Sequence, residues 1–169
     1  MQLYTNFRKL NSGRECIVTY IENNIATVIS GSYRRHLKEM YALKRILEQK
    51  GIHVLSPVGD GAINPGEEFV LLDADPIHDH RTLQDSVFAK IRRSSFLVGF
   101  NSDGYLGKAA LLEFGYAISI GIQILTLEPV EDPNIQPYTR LLSDVIGYFE
   151  LENGYPVRYR LRQPEHQAA

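Results

Sequence analysis

Few residues in this chain of 169 combine the type and the spacing that chemistry needs, and Glu113 stands first among them. Between Ala109 and Ile120 nearly every residue is apolar or small, and Glu113 is the one charged side chain in the run. A helix that is apolar all round is usually buried. A buried carboxylate is costly unless it is paired or its pKa moves. The bland account is a rim glutamate or half of a structural ion pair. The sharper one is a working carboxylate in a ligand cleft, placed near a helix start where the dipole favours an anion. A second cluster is Ser30-Gly31-Ser32 followed by Arg34 and Arg35. A small-residue turn between a strand and a helix presents backbone N–H groups to an anion, and a guanidinium beside it suits phosphate or carboxylate. The same stretch also reads as a plain helix N-cap with two solvated arginines. His78-Asp79-His80 has metal-ligand types, but alternating residues on a loop seldom build a metal site alone. Cys16 precedes an alternating stretch and reads as a half-buried strand-end thiol.

These residues need elements to hold them. Phe96 to Phe100 is an apolar run of strand length. Asn101 to Gly107 is turn chemistry, Lys108 to Ile120 has helical length, and Gly121 stands at the C′ position. Ile122 to Leu127 is a second β-branched run. Upstream, Ile25 to Ile29 is a strand and Tyr33 to Lys50 a helix striped by Leu37, Met40, Tyr41, Lys44 and Leu47. Ile52 to Ser56 is a strand stopped by Pro57. Strand, helix and strand in this order require a crossover and a parallel sheet. Val58 to His80 is a long acidic loop at a strand's carboxyl end, where open α/β sheets bind ligands. Arg81 to Arg93 is a helix with the ridge Leu83, Val87, Ile91. If Thr82 is its N-cap, Asp85 falls at N3 as a capping-box partner.

The ends are less informative. Ile17 to Ile21 has strand character and can pair with Ile25 to Ile29 about Glu22-Asn23-Asn24, or serve as an added edge strand or a partner contact. Tyr138 to Ile146 reads as a short helix with Leu141, Leu142 and Val145 inward. Tyr148 to Leu151 and Val157 to Leu161 suit a terminal hairpin, and the tail from Gln163 looks frayed.

Composition bounds the class. The length fits one α/β domain over residues 1–169, with a core at about 25–130 and peripheral additions at 1–24 and 138–162. A net charge of -2 gives no footprint for a nucleic acid polymer, and no apolar run approaches a membrane span. No signal peptide is visible. A single cysteine excludes an intrachain disulfide and suits a reducing, cytoplasmic compartment.

Three segments together, IATVISGSYRRH, RTLQDSVFAKIRRSSFLVGF and DGYLGKAALLEFGYAISIGIQILTL, resemble the nucleoside 2-deoxyribosyltransferase superfamily, which includes the 2′-deoxynucleoside 5′-monophosphate N-glycosidases. The likeness runs from Ala26 to Glu128. Its most specific part is a glycine-bearing loop, then E-x-G-x-A on a helix, here Glu113-Phe114-Gly115-Tyr116-Ala117. The resemblance implies a flavodoxin-like, Rossmann-like three-layer sandwich about a mainly parallel sheet, and a homodimer or larger homo-oligomer. It implies Glu113 as nucleophile toward C1′ and Asp85 as the aspartate near the base. It implies a sugar or phosphate pocket at Gly31, Ser32, Tyr33 and Arg34, and it adds Asp103, Gly104 and Gly107 from the glycine-bearing loop. That loop reads Ser102-Asp103-Gly104-Tyr105-Leu106-Gly107, where transferases often carry Asp-x-Gly-Thr.

The chemistry that goes with this is cleavage of the bond between a nucleobase and C1′. The sugar carbon becomes oxocarbenium-like and the leaving base needs a proton. One carboxylate stays ionised to attack or stabilise C1′ (Glu113) and a second acidic group serves the base (Asp85). No cofactor or metal is required. Water as acceptor makes a hydrolase, and another base makes a transferase. The partner is a small-molecule nucleoside or nucleotide. A non-catalytic nucleotide-binding or sensor module, and cleavage of the nicotinamide–ribose bond of NAD, stay open on the same residues.

Overall fold

The central strands are apolar on both sides, and the structure, a computed structural model, shows why. It describes residues 3–9, 15–21, 25–146, 148–152 and 155–160, with side chains described over 25–146. Five strands, β3 (Ala26–Gly31), β4 (His53–Ser56), β5 (Phe96–Phe100), β6 (Ile124–Thr126) and β7 (Thr139–Leu141), form one sheet in the order β4-β3-β5-β6-β7. Every neighbouring pair is parallel. Taken by position in this sheet the order is second, first, third, fourth, fifth, which is the flavodoxin-like arrangement.

Helices cover both faces, so successive strand residues enter different cores. Ile29, Val98 and Leu125 join Met40, Leu43 and Leu47 of α1 (Tyr33–Gln49) and Leu142 of α4 (Leu142–Val145). Val28, Leu97 and Ile124 join Ile91 of α2 (His80–Arg92) and Phe114 and Ala117 of α3 (Lys108–Ser119) on the other face. Two glycines make this packing possible. A Cβ at Gly99 would collide with the Phe114 ring, and one at Gly31 would lie 2.9 Å from Phe100 Cβ. Gly51 and Gly121, at φ 79 and 74, terminate α1 and α3 in the left-handed region.

Two small antiparallel pairs stand apart from the sheet. β1 (Leu3–Lys9) pairs with β2 (Glu15–Ile21), and β8 (Tyr148–Glu152) with β9 (Tyr155–Arg160). The hairpin that 17–21 and 25–29 could have made, one of the readings left open, is not formed: β2 takes β1 as its partner, and β3 enters the parallel sheet. The turn at 22–24, the turn residues 153–154, the Cys16 side chain and the tail from 163 lie outside the described residues. The short helix expected at 138–146 divides into strand β7 and helix α4, with Val145 exposed. Among the described residues no helix is long and apolar enough to cross a membrane.

Candidate active site

The carboxyl ends of β3 and β5 flank the point where strand order reverses, and there the loops part to leave a cleft. A cavity of about 180 Å³ opens at this point. Its walls come from five places in the chain. The β3–α1 turn supplies Gly31, Ser32, Tyr33 and Arg34, and the end of β4 supplies Ser56. The loop at 57–79 supplies Glu68, Phe69, Val70, Leu72 and Asp75. Helix α2 presents Leu83, Gln84, Ser86, Val87 and Lys90. The loop after β5 and the first turns of α3 supply Tyr105, Gly107, Ala110 and Glu113.

Glu113 is 9% exposed. Ser30 Oγ donates a hydrogen bond to its Oε2, and Gln84 Nε2 donates to its Oε1 at 3.2 Å. Among the described residues no cation pairs with it. Burial pushes its pKa above the usual glutamate range, and the Ser30 and Gln84 hydrogen bonds pull the other way. Both oxygens are thus oriented by neutral donors, and the charge is left uncompensated for a ligand to meet. Beside it, Tyr33 shares a hydrogen bond of 3.0 Å with Ser56 Oγ. Burial first, and the charge of Glu113 second, push the Tyr33 hydroxyl pKa up, so it holds its proton.

Helices α1 and α3 both begin at this cavity, and neither N-cap (Ser32, Gly107) spends a side chain on capping. Their first N–H groups are a natural seat for an anion. Arg34 lines the cavity, whereas the Arg35 guanidinium sits 3.7 Å over the Tyr105 ring and is committed to that wall.

Of the residues picked out in the sequence, Gly31, Ser32, Tyr33, Arg34, Gly107 and Glu113 line one cavity together. Three do not. Asp85 is not a cavity residue: its side chain is 64% exposed, with Arg81 Nε 3.9 Å away one turn earlier. Its expected capping role is corrected as well, because Asp79 caps α2 by accepting from Thr82 N at 2.8 Å. Asp103 and Gly104 turn away from the cavity. Their backbone N–H groups donate to the Glu128 carboxylate at 3.4 and 3.1 Å, so this small anion nest is filled from within the chain. Asp103 adopts the left-handed region, at φ 58.

Gln84 and Asp75 are site residues that sequence reasoning passed over, and Ser30, noted there only as part of a small-residue turn, is a partner of Glu113. A signal for Gln84 existed. An α-helix turns about 100° per residue, so with the ridge at Leu83, Val87 and Ile91, position 84 flanks the buried side and position 85 points away from it. Of the run His78-Asp79-His80, Asp79 caps α2 and His80 stacks on Phe69 at 4.1 Å. Among the described residues no three His, Cys, Asp or Glu side chains gather as metal ligands would.

Fold and site together define a flavodoxin-like domain with a buried carboxylate at its topological switch point. No family model matches the chain, and no curated protein matches it in sequence. Solved structures similar in fold include the following two. One is a conserved protein from Enterococcus faecalis V583, at 18% identity and a TM-score of 0.45, the match covering 60% of this chain and 62% of that one. The chain thus spans about three fifths of that protein's length. The other is a 2-desoxiribosyltransferase from Leishmania mexicana, at 14% identity and a TM-score of 0.45, covering 79% and 78% of the two chains. At such values neither likeness speaks to activity, which has to be argued from the site's own atoms.

Proposed function

We propose that this protein cleaves or transfers the N-glycosidic bond of a nucleoside or nucleoside 5′-monophosphate, with Glu113 as the nucleophile toward C1′. One observation carries the reading: a carboxylate held dry beside a cavity, both oxygens oriented by Ser30 and Gln84, with no cation among the described residues to neutralise it. Desolvation and like surroundings make that group costly to the fold. An electron-poor C1′ passing through an oxocarbenium-like state is the partner such an anion lacks. Phe69 and Tyr105 in the walls suit a planar base, each backed by a stacked neighbour (His80 and Arg35).

A 5′-phosphate fits the uncapped starts of α1 and α3 with Arg34 beside them. Arg34→Ala is expected to raise KM for monophosphates and to leave KM for free nucleosides unchanged. An equal response to both would remove the phosphate from the proposal. The decisive test of the glycosidic reading is release of free base, followed by chromatography, from wild type and Glu113→Gln. Loss of turnover by at least about a hundredfold is expected when a nucleophile is removed.

One observation favours a second reading, a nucleotide-binding module without turnover. The cavity side of α2 offers Gln84 and Val87 and no carboxylate to serve the leaving base. Such a module shifts in melting temperature with nucleotide and liberates no base.

A further inference from the structure

Cleaving a base from C1′ needs a proton for the base nitrogen, and α2 does not carry the group to supply it. Two carboxyl groups besides Glu113 reach the cavity, Glu68 and Asp75. Glu68 is exposed at the rim, with Lys108 Nζ 3.7 Å from it. Tyr33 also reaches the cavity, but its hydroxyl is bonded to Ser56 and holds its proton. Asp75 differs from both. It is half-buried, it lines the cavity, and among the described residues no hydrogen-bond or ion-pair partner takes its carboxyl group. It also lies close enough to Tyr33 for its charge to act on that hydroxyl, as Glu113 does from α3. Tyr33 thus stands within electrostatic reach of both carboxyl groups.

The segment that carries Asp75 is built to hold a position. Tyr41 Oη donates to Val58 O at 2.8 Å and Lys44 Nζ to Pro57 O at 2.9 Å, which fixes the start of the loop to α1. Asn64 closes its middle, accepting from Leu71 N at 2.6 Å and donating to Phe69 O at 3.0 Å. Leu72 is fully buried, and Asp75 N donates to Leu72 O at 3.2 Å, so the aspartate sits one turn from an anchored side chain. Asp79 then caps α2 and fixes the far end. An aspartate on a loop tied at both ends and in the middle, facing a cavity with its carboxyl group uncommitted, is placed for work on a ligand.

Resting on the glycosidic reading, we infer that Asp75 is the second catalytic carboxyl group, the proton donor to the departing base and the base that activates water. In the first step a Glu113 oxygen bonds to C1′ as the C1′–N bond breaks. The electron pair leaves with the base nitrogen, which takes the Asp75 proton, so base departs neutral and Asp75 is left ionised. In the second step Asp75 takes a proton from water as the water oxygen bonds to C1′. The C1′–O bond to Glu113 breaks, and both carboxyl groups return to their starting states.

The test separates proton donation from every other role. Wild type, Asp75→Asn and Glu113→Gln are assayed on the four natural 2′-deoxynucleoside 5′-monophosphates and on 7-methyl-dGMP, whose cationic base leaves without needing a proton. Asp75→Asn is expected to slow base release from the best natural substrate by about 10²-fold or more, and in a single turnover to release base from 7-methyl-dGMP at nearly the wild-type rate, since only the later water step then lacks its base. That second arm also shows that the variant is folded. Glu113→Gln is expected to fail on both. If Asp75→Asn keeps wild-type turnover of the natural substrate while Glu113→Gln is dead, the role of Asp75 is overturned and the glycosidic reading stands. Equal losses on both substrates likewise overturn proton donation. Wild-type protein that releases no base from any of them overturns both.

Discussion

Helices α2 and α3 lie against each other on one face of the sheet, and each carries a carboxylate that the sequence drew attention to. Their surroundings are opposite. Glu113 on α3 is 9% exposed, held by two neutral donors, and its pKa is pushed up by burial. Asp85 on α2 has a side chain 64% exposed and pairs loosely with Arg81 in an i,i+4 arrangement. An exposed pair of that kind stabilises a helix by at most a few tenths of a kcal/mol. A carboxylate kept dry without a cation destabilises the fold instead, and such arrangements gather at functional sites. Two acidic residues on adjacent helices thus differ in kind, and the side of the helix each occupies decides it.

The comparison can be broken in three places, and the largest effect is expected at Ser30. Ser30→Ala leaves Glu113 Oε2 without its donor, which costs about 1.5–3 kcal/mol for a bond to a charged group, read as a lower urea midpoint. It also raises the Glu113 pKa further, so the acid limb of turnover moves to higher pH. An unchanged midpoint and pH profile would mean that Ser30 does not hold the carboxylate.

The next effect is on stability against pH. Glu113 has a raised pKa, so the folded chain binds this proton more tightly than the unfolded chain does. Stability is full below the ordinary glutamate range and is lost as pH rises through the raised value. Glu113→Gln removes that loss. Its melting temperature is expected to exceed wild type at neutral pH and to converge with it under acid conditions. A variant less stable than wild type at neutral pH would show that the carboxylate supports the fold. The smallest effect belongs to Asp85→Asn, with stability within about 0.5 kcal/mol of wild type and turnover unchanged. A large loss of turnover there would return Asp85 to the site.

Much of this was legible in the chain, for physical reasons. Strands buried on both faces read as continuous apolar runs, so β3, β5 and β6 were visible, and the glycines at 51 and 121 marked where α1 and α3 stop. Glu113 was legible because a charge in an apolar helix is an anomaly. Strand β7 was not, since Thr139-Arg140-Leu141 is three residues long and has no apolar run. The outer side of α3 misled: Leu111 and Leu112 suggested burial all round, yet they are 40% and 55% exposed. The choice of Asp85 over Gln84 followed residue type and motif, where the helical wheel pointed to the neighbour. Asp75 had no local signature, because a loop aspartate gains its meaning only when the folded loop lines the cavity that Glu113 also lines.

The central claim is that Glu113 bonds to C1′. The most direct measurement is acid quench of the wild-type protein during turnover of a 2′-deoxynucleoside 5′-monophosphate, followed by peptide mapping by mass spectrometry. The account predicts a deoxyribosyl phosphate adduct on the peptide containing Glu113, with the sugar on that side chain and no adduct in Glu113→Gln. A sugar on any other residue, or steady base release by Glu113→Gln at the wild-type rate, would contradict it.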